Sequence, residues 1–228
     1  GLDLTGMFGL HESSETLNAM KEGMSKSLET LSEIGDKVTE EYETFSVNKF
    51  RLKAVPEEPV PILVAALREG MLRLAGREAD GAIINWLSPD DVTTVAPIVR
   101  QFGEQKEIVA RIFVAPSDDA TAVREMGKFA ITAYLNVPVY RAFHEWLGRG
   151  DLLGGMWEAW GAGDRKAALA AIPDEVVDDL IVHGTPEQCR QRIARYIDNG
   201  VTTPALAVLP FPGIDARAAL AELAPSKT

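Results

Sequence analysis

The sequence predicts an α/β protein built around a parallel sheet. Three observations lead there. Short apolar runs alternate with amphipathic segments from about residue 61 onward. The runs "PILVAA" and "GAIINWL" are of strand length and carry no polar alternation, as expected of strands buried on both faces. The segments between the runs carry helix start and stop signals, and a strand–helix–strand order calls for parallel strands joined by right-handed crossovers.

The elements follow in order. "GLDLTGMFGLHESS" is glycine-punctuated and reads as a short strand or loop. The next stretch places Leu17, Met20, Met24, Leu28 and Leu31 at spacings of three and four, which predicts an amphipathic helix over 15–34 that stops at Gly35. "YETFSVNKFRL" alternates Tyr42 and Thr44 against Phe45 and Val47 and reads as an extended ribbon over 42–52, followed by a proline-rich link, "AVPEEPVP". "PILVAA" is the first strand of the repeating part. The helix after it carries Met71, Leu72, Ala75 and Ala79 on one side. "GAIINWL" is the second strand, and Ser88 with Pro89 starts the next helix as N-cap and first helical residue. "EIVARIFVAP" is a third strand and "SDDATAVREMGKFAITAYL" a third helix. A mostly helical, tryptophan-rich excursion fills 137–182. Thr185 and Gln188 then form a capping box, with Pro186 inside the start and Gly200 just past the end of the helix. "TPALAVLP" is the last strand and "DARAALAELA" a closing helix. This divides the chain into a lead-in with ribbon, 1–53, and a strand–helix domain, 54–228.

Composition narrows the function. The chain has 228 residues, 46% hydrophobic and 25% charged, which is enough to bury a sizeable core. A formal net charge of −11 disfavours partners such as nucleic acid or an anionic membrane. No apolar run approaches the ~20 residues a membrane span needs. A single cysteine, Cys189, excludes an internal disulfide framework and fits a reducing cytoplasm. The three histidines show no metal-ligand spacing, so no metal is expected. Before residue 54 the cations are five Lys and one Arg, and after it four Lys and thirteen Arg, which reads as a surface-exposed leading segment, a truncation or a joined sequence.

In parallel α/β folds ligands sit at the C-terminal ends of the strands. Those ends are Ala65-Ala66-Leu67, Asn85-Trp86 and Val208-Leu209-Pro210. A helix starting near Arg68 presents free backbone N–H groups and the positive end of its dipole toward that rim, an anion site, and the small Ala65 and Ala66 permit close approach. Asn85 reads either as a ligand contact or as a cap, and Trp86 either as a pocket wall or as a core residue. Other constellations read as structural. His11 and His144 lack dyad geometry with the glutamates beside them, His183 reads as stabilising the turn before a helix cap, and Cys189 reads as an inert thiol. Asp174, Glu175, Asp178 and Asp179 read as a helix start rather than a metal site. Trp146, Trp157 and Trp160 suit either a lid or a subunit contact.

"PVPILVAALREGMLRLAGREADGAIINWLSPDDV" resembles the central part of the bacterial luciferase-like monooxygenase family, especially its deazaflavin-dependent members. "EEYETFSVNKFRL" resembles the stretch before it and "VVDDLIVHGTPEQCRQRIARYIDNGVTTPALAVLP" the closing part. The resemblance runs from about residue 38 to 211 and more faintly through 15–34. It implies a TIM-barrel-type (β/α) sheet that is incomplete, with N-terminal strand–helix units missing and a helical insertion before the last strand. It also implies an oxidoreductase or monooxygenase that transfers a hydride between coenzyme F420, or alternatively FMN, and an organic substrate. The cofactor phosphate would lie on the backbone of Ala65, Ala66, Leu67, Arg68, Glu69, Gly70 and Met71, with Asn85 and Trp86 nearby. Some family members have Gly-Gly after Ala-Ala where this chain has Leu67-Arg68. Gly9, His11 and Ser13 fall where the family has another phosphate contact. No catalytic acid or base is assigned. A homodimer is expected, and a non-catalytic half-barrel that pairs with another chain is the rival reading.

Overall fold

A computed structural model describes residues 36–225 apart from 42, 44, 52, 54–56, 59, 211 and 212. The expected helix over 15–34 and the residues Gly9, His11 and Ser13 lie outside the described residues. The first described element is an antiparallel hairpin of β1 (Val38–Glu41) and β2 (Ser46–Phe50), with an irregularity in register between Val38 and Glu40. The ribbon expected over 42–52 thus starts earlier, since its first strand, Val38–Glu41, lies before residue 42.

The main body alternates strand and helix as expected. In chain order come β3 (Leu63–Ala65), α1 (Glu69–Glu78), β4 (Gly81–Asn85), α2 (Pro89–Arg100) and β5 (Glu107–Ala115). The third helix is α3 (Ala120–Leu135), and the excursion after it holds four more: α4 (Pro138–Trp146), α5 (Gly150–Gly161), α6 (Arg165–Ala170) and α7 (Asp174–Leu180). Then follow β6 (Ile181–His183), α8 (Pro186–Asp198), β7 (Thr203–Val208) and α9 (Ala216–Leu223). All pairings among β3 to β7 are parallel. Among the described residues the sheet does not close, and β3, β6 and β7 each pair with one strand.

Strand β6 was not read from the sequence, which placed this stretch within the helical excursion. Its three residues follow α7 directly and pair with the end of β5, Phe113 to Ile181 and Ala115 to His183. β5 also pairs with β4 over Glu107–Arg111 and with β7 over Val109–Val114. Residues 113 and 114 therefore bond β7 on one edge and β6 on the other, and the edge that β6 uses is the one β4 left at Arg111.

One face of the sheet is buried by α1, α2 and α8. Ala82, Ile84, Ile108, Ala110, Ile112 and Val114 point into this layer at 0–1% exposure and meet Leu72, Ala75, Val92, Val95 and Val99. The alternation along β5 comes from the period of two along a strand. Gly81 is required here by space: a Cβ on it would lie 2.0 Å from the Glu107 carbonyl oxygen on the neighbouring strand.

The excursion and α3 share a second core, built from Val123, Ile131, Leu135, Leu153, Met156 and Val177 around Trp86, Phe113 and Ala115. It thus docks on the C-terminal ends of β4 and β5. Arg149, just before α5, clamps the two parts together. It donates to Asp91 Oδ1 at 3.1 Å, Ser88 Oγ at 3.3 Å and Asp179 Oδ2 at 3.4 Å, and is itself 7% exposed. Asp91 and Ser88 also cap α2 reciprocally, as the sequence predicted for Ser88.

Removing one partner of a buried ion pair strands the other. Arg149→Ala is expected to lower the unfolding free energy by about 3 kcal/mol in urea titrations. The double variant Arg149→Ala/Asp91→Ala is expected to lose less than the sum of the two single changes.

Candidate functional site

The second face of the sheet is left partly open by the described residues. Register brings Ala65, Ile83, Val109 and Thr203 into one row, and Asn85, Arg111 and Ala205 into the next row toward the C-terminal end. A third row holds Phe113 and Ala207. Ala65, Ile83, Arg111, Thr203 and Ala205 are exposed, whereas Phe113 is covered by the excursion. This face and the strand ends above it form the candidate site.

The expected phosphate stretch lies at the end of β3. Ala65 is exposed and Ala66 buried, with the Ala66 N–H donating to the Ile83 carbonyl at 2.9 Å. Helix α1 begins at Glu69, and its N-cap residue, Arg68, is extended and makes no side-chain cap. The N-termini of α2, α3 and α8 are closed by Ser88, Asp119 and Thr185. The first backbone donors of α1 thus meet no capping side chain at the ligand end of the sheet, next to Leu67, Glu69, Gly70 and Met71. Arg68 itself is half-buried.

Asn85 and Trp86 have a different character. Asn85 does not cap α2, which Ser88 does. Its Oδ1 accepts from the Trp86 N–H at 3.0 Å, and its Nδ2 donates to Tyr140 Oη at 3.2 Å. Trp86 has φ +53°, in the left-handed region that disfavours a bulky side chain. The Asn85 hydrogen bond and burial to 1% hold it there. Its ring stacks on Phe113 at 4.0 Å between centroids and meets Tyr134 at 5.1 Å, and its indole Nε1 is buried without a hydrogen-bond partner. Of the two readings of Trp86, the core one describes its surroundings.

Under this turn lies His144, fully buried, with neither ring nitrogen hydrogen-bonded. Burial, helped by the charge of Arg149, pushes its pKa down to about 3, against weaker pulls from Asp91 and the Trp86 backbone. It is a neutral core residue, in keeping with the packed reading. His183 Nε2 contacts Asp178 Oδ1 at 2.9 Å, which fixes the turn after β6. Asp178 is held below the usual carboxylate range, first by its hydrogen bond from Arg124, and its charge raises that arginine in turn. Cys189 is buried, and burial pushes its thiol up to about 11, so it is inert. The acidic set of α7 is spent on cations: Asp174 on Lys128, Asp178 on Arg124, and Asp179 on Arg149 and Arg192. Among the described residues no group of His, Cys, Asp or Glu has metal-binding geometry, and no helix is long and apolar enough to cross a membrane.

A polar cleft of about 540 Å³ opens beside the ends of β5 and β6, lined by Ser117, Asp118, His183, Thr185, Gln188 and Arg192. Its helix start is closed internally, since Thr185 Oγ1 accepts from Gln188 N and Gln188 Oε1 accepts from Thr185 N. Among the excursion tryptophans, Trp157 is buried and donates from Nε1 to the Leu135 carbonyl at 2.8 Å, and Arg165 covers Trp160 at 3.6 Å. Trp146 remains 37% exposed. The sequence reading passed over Arg111, Phe113 and Tyr140. Arg111 had left a visible signal as the one cation inside an apolar strand, "EIVARIFVA". Tyr140 had left none, because its partner Asn85 lies far back in the chain.

The family model for luciferase-like monooxygenases matches residues 5–203. A 5,10-methylenetetrahydromethanopterin reductase from Methanolobus tindarius is 27% identical over 180 residues, which cover 74% of this chain and 54% of the reductase. The solved coenzyme F420-dependent tetrahydromethanopterin reductase from Methanopyrus kandleri superposes with a TM-score of 0.67 at 19% identity, covering 91% of this chain and 61% of that one. An F420-dependent secondary alcohol dehydrogenase, solved with an F420–acetone adduct, gives a TM-score of 0.61 at 17% identity and covers 90% of this chain and 60% of that one. The chain thus spans little more than half the length of the relatives it matches.

A histidine that is neutral in the folded state and titrates normally when unfolded costs stability as it is protonated. Its folded pKa is depressed, so its contribution is intact above about 6.5 and is lost as pH falls toward about 3. His144→Leu is expected to flatten the fall in stability across that window. The difference from the unaltered chain should approach about 1.4 kcal/mol per pH unit in denaturant titrations at pH 7 and pH 4.5.

Proposed function

The chain belongs to the luciferase-like monooxygenase family, and on that premise we propose that it serves hydride transfer between coenzyme F420, with FMN as the alternative, and a small organic substrate. The observation that carries this reading is the uncapped start of α1 at the C-terminal end of β3, beside an open sheet face. Ala65, Ala66, Leu67, Arg68, Glu69, Gly70 and Met71 supply the turn that would hold the phosphate of such a cofactor. They fit it by a helix start that no side chain caps, by the helix dipole and by the small side chains before it. The relatives named above as F420-dependent favour F420 over FMN.

When bound, the cofactor supplies the redox chemistry. The chain's own residues bind, orient and exclude water. Asn85 and Trp86 would shape the wall of the site indirectly: Asn85 pins the left-handed turn, and Trp86 carries the packed stack under it. The excursion that rests on this stack would cover the mouth. The split into a lead-in, 1–53, and a sheet domain, 54–228, belongs to the same proposal. So does a homodimer, for which the exposed Val139, Trp146 and Leu152 of the excursion offer apolar surface. The rival reading, a non-catalytic pairing module, has no support from the reductases and dehydrogenase that the chain resembles.

Titration with F420 and with FMN, followed by fluorescence, is expected to show one cofactor bound per chain, with F420 the tighter. No binding of either overturns the proposal. Gly70→Asp places a negative charge where the phosphate would sit and is expected to weaken F420 by about tenfold or more. The phosphate-free analogue of F420 should be insensitive to that change. Equal weakening of both ligands would count against the assignment.

A further inference from the structure

We infer that Arg111 is the anion receptor of the open sheet face and receives a planar oxyanion from the bound ligand. Arg111 stands in the middle of β5 on the face that α1, α2 and α8 do not cover, and it is exposed. Its row neighbours are Asn85 on β4 and Ala205 on β7. The rows around it are Ala65, Ile83 and Val109 on one side and Phe113 and Ala207 on the other, so it is a lone cation on a largely apolar surface. Among the described residues its guanidinium makes no ion pair and no side-chain hydrogen bond. It lies over the ring of Phe113, with the guanidinium carbon 4.7 Å from the ring centroid.

That contact sets its direction. Phe113 lies two residues nearer the C-terminal end of β5, so the guanidinium leans toward the ligand end of the sheet. The Phe113 ring is itself fixed by its stack on Trp86. A guanidinium held over an aromatic ring keeps its N–H edge free and oriented, and that edge matches a carboxylate or a similar planar oxyanion in a two-point contact. The small Ala205 and Ala207 leave room beside it. Asn85, its other neighbour, already has Oδ1 and Nδ2 engaged, so it does not compete for the anion. The start of α1 lies two strands away, about 10 Å across the sheet, so a phosphate there and an oxyanion at Arg111 are separate contacts that one bound assembly can satisfy together.

This inference rests on the proposed cofactor-dependent function. The anion has two candidate sources, a carboxylate on the substrate, whose two oxygens match the fork, or the ionised hydroxyl of the deazaflavin ring, whose single oxygen two N–H groups can share, and two arms of one experiment separate them. In the first, the ring ionisation of protein-bound F420 is followed by absorbance against pH. If the ring is the source, Arg111→Gln moves that ionisation up by about one pH unit, and FMN, which lacks that hydroxyl, shows no matching change. In the second, benzoate binding is measured by calorimetry on the unaltered chain and on Arg111→Gln. If a carboxylate is the source, the Kd rises by about tenfold or more in the variant. Arg111→Lys should recover only part of either effect, because a point charge lacks the fork. Unchanged ring ionisation together with unchanged benzoate binding overturns the inference. If the unaltered chain binds neither F420 nor FMN, the proposed function falls. The benzoate arm, run on the cofactor-free chain, then decides the role of Arg111 alone, and absent or variant-insensitive binding overturns it.

Discussion

The structure depends on how one edge of β5 is shared. β4 bonds that edge as far as Arg111, and β6 takes it over from Phe113. Two strands cannot occupy one edge at the same height, so β4 must leave β5 at Asn85. The departure is made at Trp86, in a left-handed conformation that costs a bulky residue of order 1 kcal/mol or more. The cost is met by burial, by the Asn85 side chain and by the stack on Phe113. The excursion then builds its core on the same two rings.

The two faces of the sheet behave differently for a simple reason. One row of side chains on β4 and β5 meets three helices and is aliphatic and dry. The opposite row meets the excursion only at its C-terminal end and is otherwise open. Polar and charged groups survive on that second face because solvent or a ligand reaches them, whereas on the first an unpaired charge would be prohibitive. The charge that is buried, Arg149, has carboxylate and hydroxyl partners and joins the excursion to the start of α2. His144 beside it stays neutral, since a second cation next to Arg149 in a desolvated place is unfavourable.

Features set by neighbours in the chain were legible in the sequence. The N-cap at Ser88, the capping box of Thr185, the glycine stop at Gly200 with φ +124°, and the strand–helix alternation all arise within a few residues of their signals. β6 was missed because three apolar residues continuous with a helix have no period of their own. The turn after β3, with its small residues and the helix that follows, was visible as a pattern. That its N-cap lacks a side-chain bond was not, because Arg68 as a residue type does not report its rotamer.

The sequence by itself determined the class of fold, the strand–helix alternation of its main body and the family. These follow from local periodicity, caps and an ordered set of short motifs. Only the tertiary structure decided which polar groups are spent and which are free. Asn85 is taken by Tyr140, Asp91 by Arg149 and Asp178 by Arg124, each across at least fifty residues of chain, while Arg111 is left with a ring and an open face. Pairing at that distance depends on how strands register and helices dock, and no short window of sequence carries that information.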